Sequence, residues 1–364
     1  MLEKTHLSYS SGQMPKLSRA LKHLCWALVA VVLTLRGAEP VVSNIGFGSC
    51  LKIPEHPMLD RTLTLPMELF LFMGDNIYAD TQDMAVMRAR YDALKTSRFF
   101  RELRRRMPVL ATWDDHDFGS NDVGRDYPKR RESQEEFLRW IDEPADSPRR
   151  KREGVYDAQV FGPPGQRLQV ILLDTRYFRS PLARVPRTEQ KTIGGAYVPS
   201  TDLTTTMLGA AQWEWLDAQL RKPAELRLIV SSVQFISEFS GAEAWANLPH
   251  EKQRMLDLLR TTKASGVLFL SGDRHWCELS RLDGPLGYPL YDLTASALTE
   301  KHPRGTPSEN RYRAVPTTYH DVNVGHLHID WAAADPVLTL KIIDVAGQAR
   351  IEQSLKLSAL QAKL

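Results

Sequence analysis

Six short apolar runs punctuate the chain beyond residue 43, and polar clusters rich in Gly and Asp follow most of them. The runs are Asn44–Phe47, Leu69–Met73, Val109–Thr112, Leu168–Leu173, Leu226–Ser231 and Val267–Leu270. Each is compact and β-rich, the pattern of a strand buried inside a sheet that is covered on both faces. Helical patterns fall between them at Met84–Leu94, Ser133–Ile141, Ala210–Leu220 and Glu251–Thr261. This rhythm predicts an α/β fold. From His326 onward, HLHIDW, VLTLKIID and ARIEQSLKL are separated by AAADP and VAGQ, which predicts antiparallel strands completing a sheet. Segments 144–154 and 181–199, rich in Pro, Gly and Arg, read as surface insertions.

Lys16, Arg19 and Lys22 precede a separate apolar run, Leu24–Leu35, which Arg36, Gly37 and Ala38 follow. That order is a secretory signal with cleavage near Ala38. The run falls short of the roughly 20 residues that span a bilayer, and an uncleaved anchor is the alternative. The expected organisation is therefore an export segment over 1–38 and one domain over 44–357, placed in the periplasm or outside the cell.

Composition changes this picture little. At 364 residues, 43% hydrophobic and 25% charged, the chain has material for one large core. A net charge of +3, with its cations dispersed, excludes a dedicated nucleic-acid binder but suits a small anionic ligand. The basic runs Arg101–Arg106 and Arg149–Arg152 read as solvated faces or loops. Of three cysteines, Cys25 lies in the export segment, leaving Cys50 and Cys277, so no disulfide framework exists, although one bridge is possible.

Chemistry gathers where strands end. In open α/β sheets the carboxyl ends of strands converge on the ligand site. Five clusters lie there: GSC (48–50), GDNIYAD (74–80), WDDHDFGSN (113–121), LDTRYF (173–178) and SGDRHWCE (271–278). Asp75 at a strand tip can bridge two cations, with Tyr78 reaching the same point, or can simply cap a helix. Asp114, Asp115, His116 and Asp117 put three carboxylates and an imidazole in four residues, a density that cations relieve. Asp273 and His275 follow the same logic. Cys50 offers either a thiolate to a borderline-soft or trivalent metal such as iron or zinc, or a small buried hydrophobe. The carboxylates favour calcium, magnesium or manganese. Arg176 is either a bidentate phosphate clamp or an ion-pair partner. His320, His326 and His328 stay outside the ligand set and read as packing or surface histidines.

Taken in order, these five segments resemble the alkaline phosphatase D (PhoD-like) family of metallophosphatases over about Cys50 to Asp330. The resemblance implies a four-layer α-β-β-α, calcineurin-like sandwich and hydrolysis of phosphate mono- and diesters. It further implies ferric iron with calcium rather than two zinc ions. By position, Cys50, Asp75, Tyr78 and His275 would hold the iron-like metal, and Asp115 and Asp273 the second site. The expected reaction is attack of a metal-bound hydroxide on a small phosphate monoester. His116 donates a proton to the leaving alcohol, Arg176 neutralises the phosphoryl oxygens, and Asn121 either bonds phosphate or shapes its loop. A phosphodiesterase or phospholipase D-like enzyme is the alternative, then a non-catalytic metal- or phosphate-binding protein. The family's familiar N-terminal sandwich domain and twin-arginine signal have no counterpart in the sequence, which leaves Sec export as an alternative route. A monomer is expected, with no membrane contact beyond the N-terminal segment.

Overall fold

In chain order the strands are β1 (Asn44–Gly48), β2 (Leu69–Met73), β3 (Val109–Thr112), β4 (Asp157–Phe161), β5 (Leu168–Leu172), β6 (Leu226–Ser231), β7 (Val267–Ser271), β8 (Cys277–Leu282), β9 (Leu290–Ala295), β10 (Asn323–Asp330), β11 (Val337–Asp344) and β12 (Ala349–Lys356). The helices are α1 (Pro57–Leu63), α2 (Met84–Thr96), α3 (Arg98–Arg106), α4 (Asp115–Phe118), α5 (Arg130–Trp140), α6 (Pro148–Lys151), α7 (Gly209–Leu220) and α8 (Pro249–Thr261). These come from a computed structural model that describes Met1 and residues 40–189, 195–239, 241–302 and 309–362. Apart from Met1, the export segment expected over residues 1–38 lies outside the described residues.

The strands form two six-stranded sheets, ordered β12-β11-β10-β1-β2-β3 and β4-β5-β6-β7-β9-β8. β1, β2 and β3 run parallel, as do β5, β6, β7 and β9. The terminal strands β10, β11 and β12 pair antiparallel and complete the first sheet, as the hydropathy pattern predicts.

The alternation along β2 shows how the layers arise. Leu69, Leu71 and Met73 join a core shared with Val170, Leu228 and Val230 of the second sheet, while Phe70 and Phe72 face helices α2, α3 and α5 through Tyr91, Phe99 and Trp140. On the opposite side, Trp213, Leu216 and Leu220 of α7 and Met255 and Leu259 of α8 join the core that includes the second sheet. The result is the α-β-β-α sandwich. Each such side chain, fully buried, contributes roughly 1.5–3 kcal/mol against the entropy of ordering the chain.

Two readings of the sequence need correction. The run Arg101–Arg106 is indeed the solvated face of α3, which buries Phe99, Phe100 and Leu103. Arg149, by contrast, is buried: it donates to the carbonyl of Ala111 at 3.1 Å and pairs with Glu143 at 3.1 Å. Because β3 is an edge strand, its outer carbonyls lack a partner strand, and Arg149 supplies the donor. The middle of segment 144–154 is thus part of the packed structure rather than a surface insertion. Cys50 and Cys277 are both buried and free, so the possible bridge does not form.

Candidate metal centre

Seven strand-end loops meet at one edge of the sandwich, carrying Cys50, Asp75, Asp114 with Asp115, Asp174, Ser232, Asp273 with His275, and Ser296. Backbone bonds stitch them together: Leu51 N–H donates to the Asp75 carbonyl at 2.8 Å, Gly272 N–H to Ser232 at 3.0 Å, and Leu298 N–H to Ser49 at 2.9 Å. Glycine permits two of these approaches. A Cβ on Gly74, whose φ is +104°, would lie 2.6 Å from the Asp114 Cβ, and one on Gly272 would lie 2.5 Å from the Ser49 hydroxyl. Four non-glycine residues at these tips hold left-handed backbone: Cys50 (φ 60°), Asp75 (52°), Asp273 (68°) and His275 (58°). That conformation costs on the order of 1 kcal/mol per residue and persists where surrounding structure enforces it, characteristically at functional sites.

Cys50, Asp75 and His275 offer ligand atoms that all lie within 4.8 Å of one another. The Tyr78 hydroxyl sits 2.9 Å from His275 Nε2 and donates to Asp75 Oδ2 at 3.1 Å; the Cys50 thiol is 3.4 Å from the same oxygen. Burial lowers the His275 pKa to about 4, so the ring is neutral and able to coordinate. Burial, and then the charge of Asp75, push the Cys50 thiol and the Tyr78 phenol well above their ordinary values. Asp75 itself is driven well up by burial and by Asp115, Asp114, Asp117 and Asp273. Such a cluster resists ionisation on its own, and a bound cation would favour the ionised carboxylate, thiolate and phenolate while keeping His275 neutral.

A second, oxygen-rich group adjoins the first. Asp75, Asp115 and His116 form one close set and Asp114, Asp115 and Asp273 another. Asp75 Oδ1, Asp114 Oδ2 and Asp115 Oδ1 are buried with no hydrogen-bond partner. Orphaned carboxylate oxygens are costly unless something positive meets them. The donors present therefore fit a pair of cations, sulfur, phenol and imidazole on one side and carboxylates on the other.

The remaining expected residues fare differently. His116 stacks on Tyr78, with ring centroids 4.2 Å apart, and its Nδ1 lies 2.7 Å from Asp80 Oδ1. Arg176 is 0% exposed and faces carboxylates: Nε is 2.5 Å from Asp114, Nη1 2.5 Å from Glu243 and Nη2 3.7 Å from Asp115. A clamp must present donors to the substrate, and this guanidinium, although its Nη1 and Nη2 make no hydrogen bond, is wholly enclosed with carboxylates around it. Nor is its partner the Asp174 carboxylate, which instead accepts the N–H groups of Val155, Arg176 and Tyr177. Asn121 is exposed in its turn and joins none of these groups; the neighbouring Asp122 does so instead, its N–H donating to Asp115 Oδ2 at 2.7 Å. Sequence reasoning missed Asp80, Arg179 and Glu243 as members of this region, and named Asp114 in its cluster without assigning it to a cation. Asp80 and Asp114 lay inside quoted clusters, whereas Glu243 sits in an unremarkable loop with no flanking signal.

Two facing sheets with cation-ready side chains gathered at the carboxyl ends of their parallel strands define a metallophosphatase-type α/β sandwich. The chain belongs to the PhoD-like phosphatase family, whose pattern matches residues 49–326. It is similar to the solved structure of PhoD, with 16% identity and a TM-score of 0.67, covering 88% of this chain and 69% of that one. It is also similar to GAP50, described as the anchor in the inner membrane complex of Plasmodium, with 12% identity, a TM-score of 0.55 and coverage of 87% and 89%. No curated protein matches by sequence. At these identities the structural likeness speaks for the fold, while family membership makes the chain a metal-dependent phosphatase. Among the described residues no helix is long and apolar enough to cross a membrane.

Proposed function

We propose that the chain is an exported, monomeric enzyme that hydrolyses small phosphate monoesters at two adjoining cation sites. Cys50, Asp75, Tyr78 and His275 would hold a ferric ion, and Asp75, Asp115 and Asp273 a calcium ion, with zinc, manganese or magnesium as substitutes. The supporting observation is the convergence of these donors from separate strand tips, with three buried carboxylate oxygens that accept no hydrogen bond. When bound, such cations supply Lewis acidity and lower the pKa of water. The protein's own contribution is positional. Asp80 orients the His116 ring, leaving its Nε2 edge to hand a proton to the departing alkoxide. Arg176 balances Asp114, Asp115 and Glu243, and so holds the carboxylates in place. Measuring release from an aryl phosphate beside an aryl phosphodiester tests the reading; a preference for the diester would reassign the substrate class.

Two variants probe the parts. Cys50→Ser keeps a small buried side chain but removes the soft donor. It should lower bound iron and cut turnover about a hundredfold or more, since even outer-shell changes at metal sites cost 10–100-fold. Full iron content with unchanged rates would sink the thiolate assignment. Asp80→Asn addresses the proton donor. Burial alone would depress the His116 pKa, yet the Asp80 hydrogen bond and the charges of Asp115, Asp80 and Asp114 outweigh it and the pKa is raised. Removing the Asp80 charge should let His116 lose its proton at lower pH. The alkaline limb of kcat should then move down in pH, and an unmoved limb would exclude His116 as the acid.

A further inference from the structure

We infer that Arg274, and not Arg176, is the residue that binds the outer oxygens of the substrate phosphoryl group, an inference that rests on the phosphoesterase reading above. The buried arginines each make at least one hydrogen bond to a carboxylate or carbonyl, although Arg176 Nη1 and Nη2, Arg179 Nε and Arg227 Nε also lack hydrogen-bond partners. Arg176 faces Asp114, Asp115 and Glu243; Arg179 bonds the Asp122 and Val123 carbonyls at 2.7 and 3.1 Å and pairs with Glu243 at 2.7 Å. Arg227 donates to the carbonyls of Lys222, Ala224 and Ser265 at 2.7–3.0 Å. The Arg274 guanidinium is different. Among the described residues it makes no hydrogen bond, its Nε is buried without a partner, and the carboxylate paired with it is that of Asp273, 3.9 Å from Nη1.

Its position is equally particular. Arg274 lies between Asp273 and His275, two residues in left-handed backbone whose side chains enter the two candidate cation sets. The guanidinium carbon sits 5.7 Å from the Phe239 ring and 5.8 Å from the Trp276 ring. Two flanking aromatic rings hold a planar cation without consuming its N–H donors, which point in the guanidinium plane. A fully charged, pre-positioned fork with unspent donors, beside a cation-binding carboxylate, matches the non-bridging oxygens of a phosphate dianion. A diester, with one charge and fewer free oxygens, gains less from it.

Arg274→Met preserves length and packing between the rings, and Arg274→Lys preserves charge without the fork. In the metal-loaded enzyme, Arg274→Met should raise the inhibition constant of inorganic phosphate and the KM for an aryl phosphate by roughly 10- to 100-fold, the scale of lost hydrogen bonds to a charged group. The change in kcat should be smaller, the diester KM should move less, and added guanidinium should restore part of the loss. Elemental analysis should find wild-type metal content. Unchanged phosphate inhibition and KM would overturn the proposal, as would metal loss in both variants, which would make Arg274 a support for Asp273. If the wild-type protein hydrolyses no phosphate ester, the parent reading fails; titration calorimetry with inorganic phosphate still decides whether Arg274 binds it.

Discussion

Asp75→Asn is expected to abolish turnover and, at the same time, to raise the melting temperature of the metal-free protein. Asp75 is the residue common to the Cys50–His275 set and the Asp115–His116 set, so its loss removes a shared donor from both. A fall in kcat/KM of about a thousandfold or more is expected, because the Lewis-acid contribution of both cations depends on it. The stability effect has the opposite sign. Burial and four neighbouring carboxylates hold the Asp75 pKa well above its ordinary value, so at neutral pH the fold must either accept a disfavoured charge or take up a proton. A group whose folded pKa is raised favours folding below its unfolded pKa and loses that contribution as pH climbs toward the folded value. The neutral amide escapes the penalty. Scanning calorimetry of chelated protein should therefore show the variant melting higher at pH 7, with the gap narrowing as pH falls toward about 4, the ordinary Asp value. A lower melting temperature for the chelated variant at neutral pH would contradict this account of the cluster.

Arg176→Met should be among the most destabilising single changes in the chain. The guanidinium is wholly enclosed and pairs with Asp114 and Glu243 at 2.5 Å each, both carboxylates themselves nearly inaccessible. Removing one partner from a buried ion group leaves charge with no compensation and typically costs about 3–5 kcal/mol. Lysine should not rescue it, because a single ammonium cannot serve both carboxylates in the geometry of a fork. An exposed pair sets the contrast. Arg98 and Asp60 meet at 2.8 Å with side chains 71% and 65% accessible, and Arg98→Ala should shift stability by less than about 1 kcal/mol. Urea unfolding of both variants is the measurement, and an Arg176→Met midpoint near wild type would show that the carboxylates find another partner.

The strands of the central sheets were legible because residues buried on both faces leave an unbroken apolar run, and the candidate ligands were legible because they follow those runs directly. Where burial and polarity coincide, the pattern fails. β8 and β9 carry Glu278, Ser280, Asp292 and Thr294, all buried, and nothing in their hydropathy announces a strand. Those side chains are satisfied internally, Gln234 donating to Glu278 at 2.7 Å and the Ser271 hydroxyl to Asp292 at 2.7 Å, partners that only the folded sheet supplies. β4 was missed for the reverse reason, being an edge strand with Gln159 and Val160 exposed. Arg176 illustrates a different limit: an arginine after a strand was recognisably functional in position, but its partner Glu243 lies 67 residues onward in a loop without a motif.

The seam between the two sheets carries a consequence for how the protein endures. Cys50 and Asp75 extend from one sheet and His275 from the other, so an ion gripped by all three is a cross-brace between halves that share no disulfide. At the opposite edge, apolar packing is joined by a bond from the Gly266 N–H to the Leu360 carbonyl at 2.7 Å. Loss of the ion would let the sandwich part first at its mouth, and scarcity of metal in the surroundings would then govern the lifetime of the molecule as well as its rate of reaction.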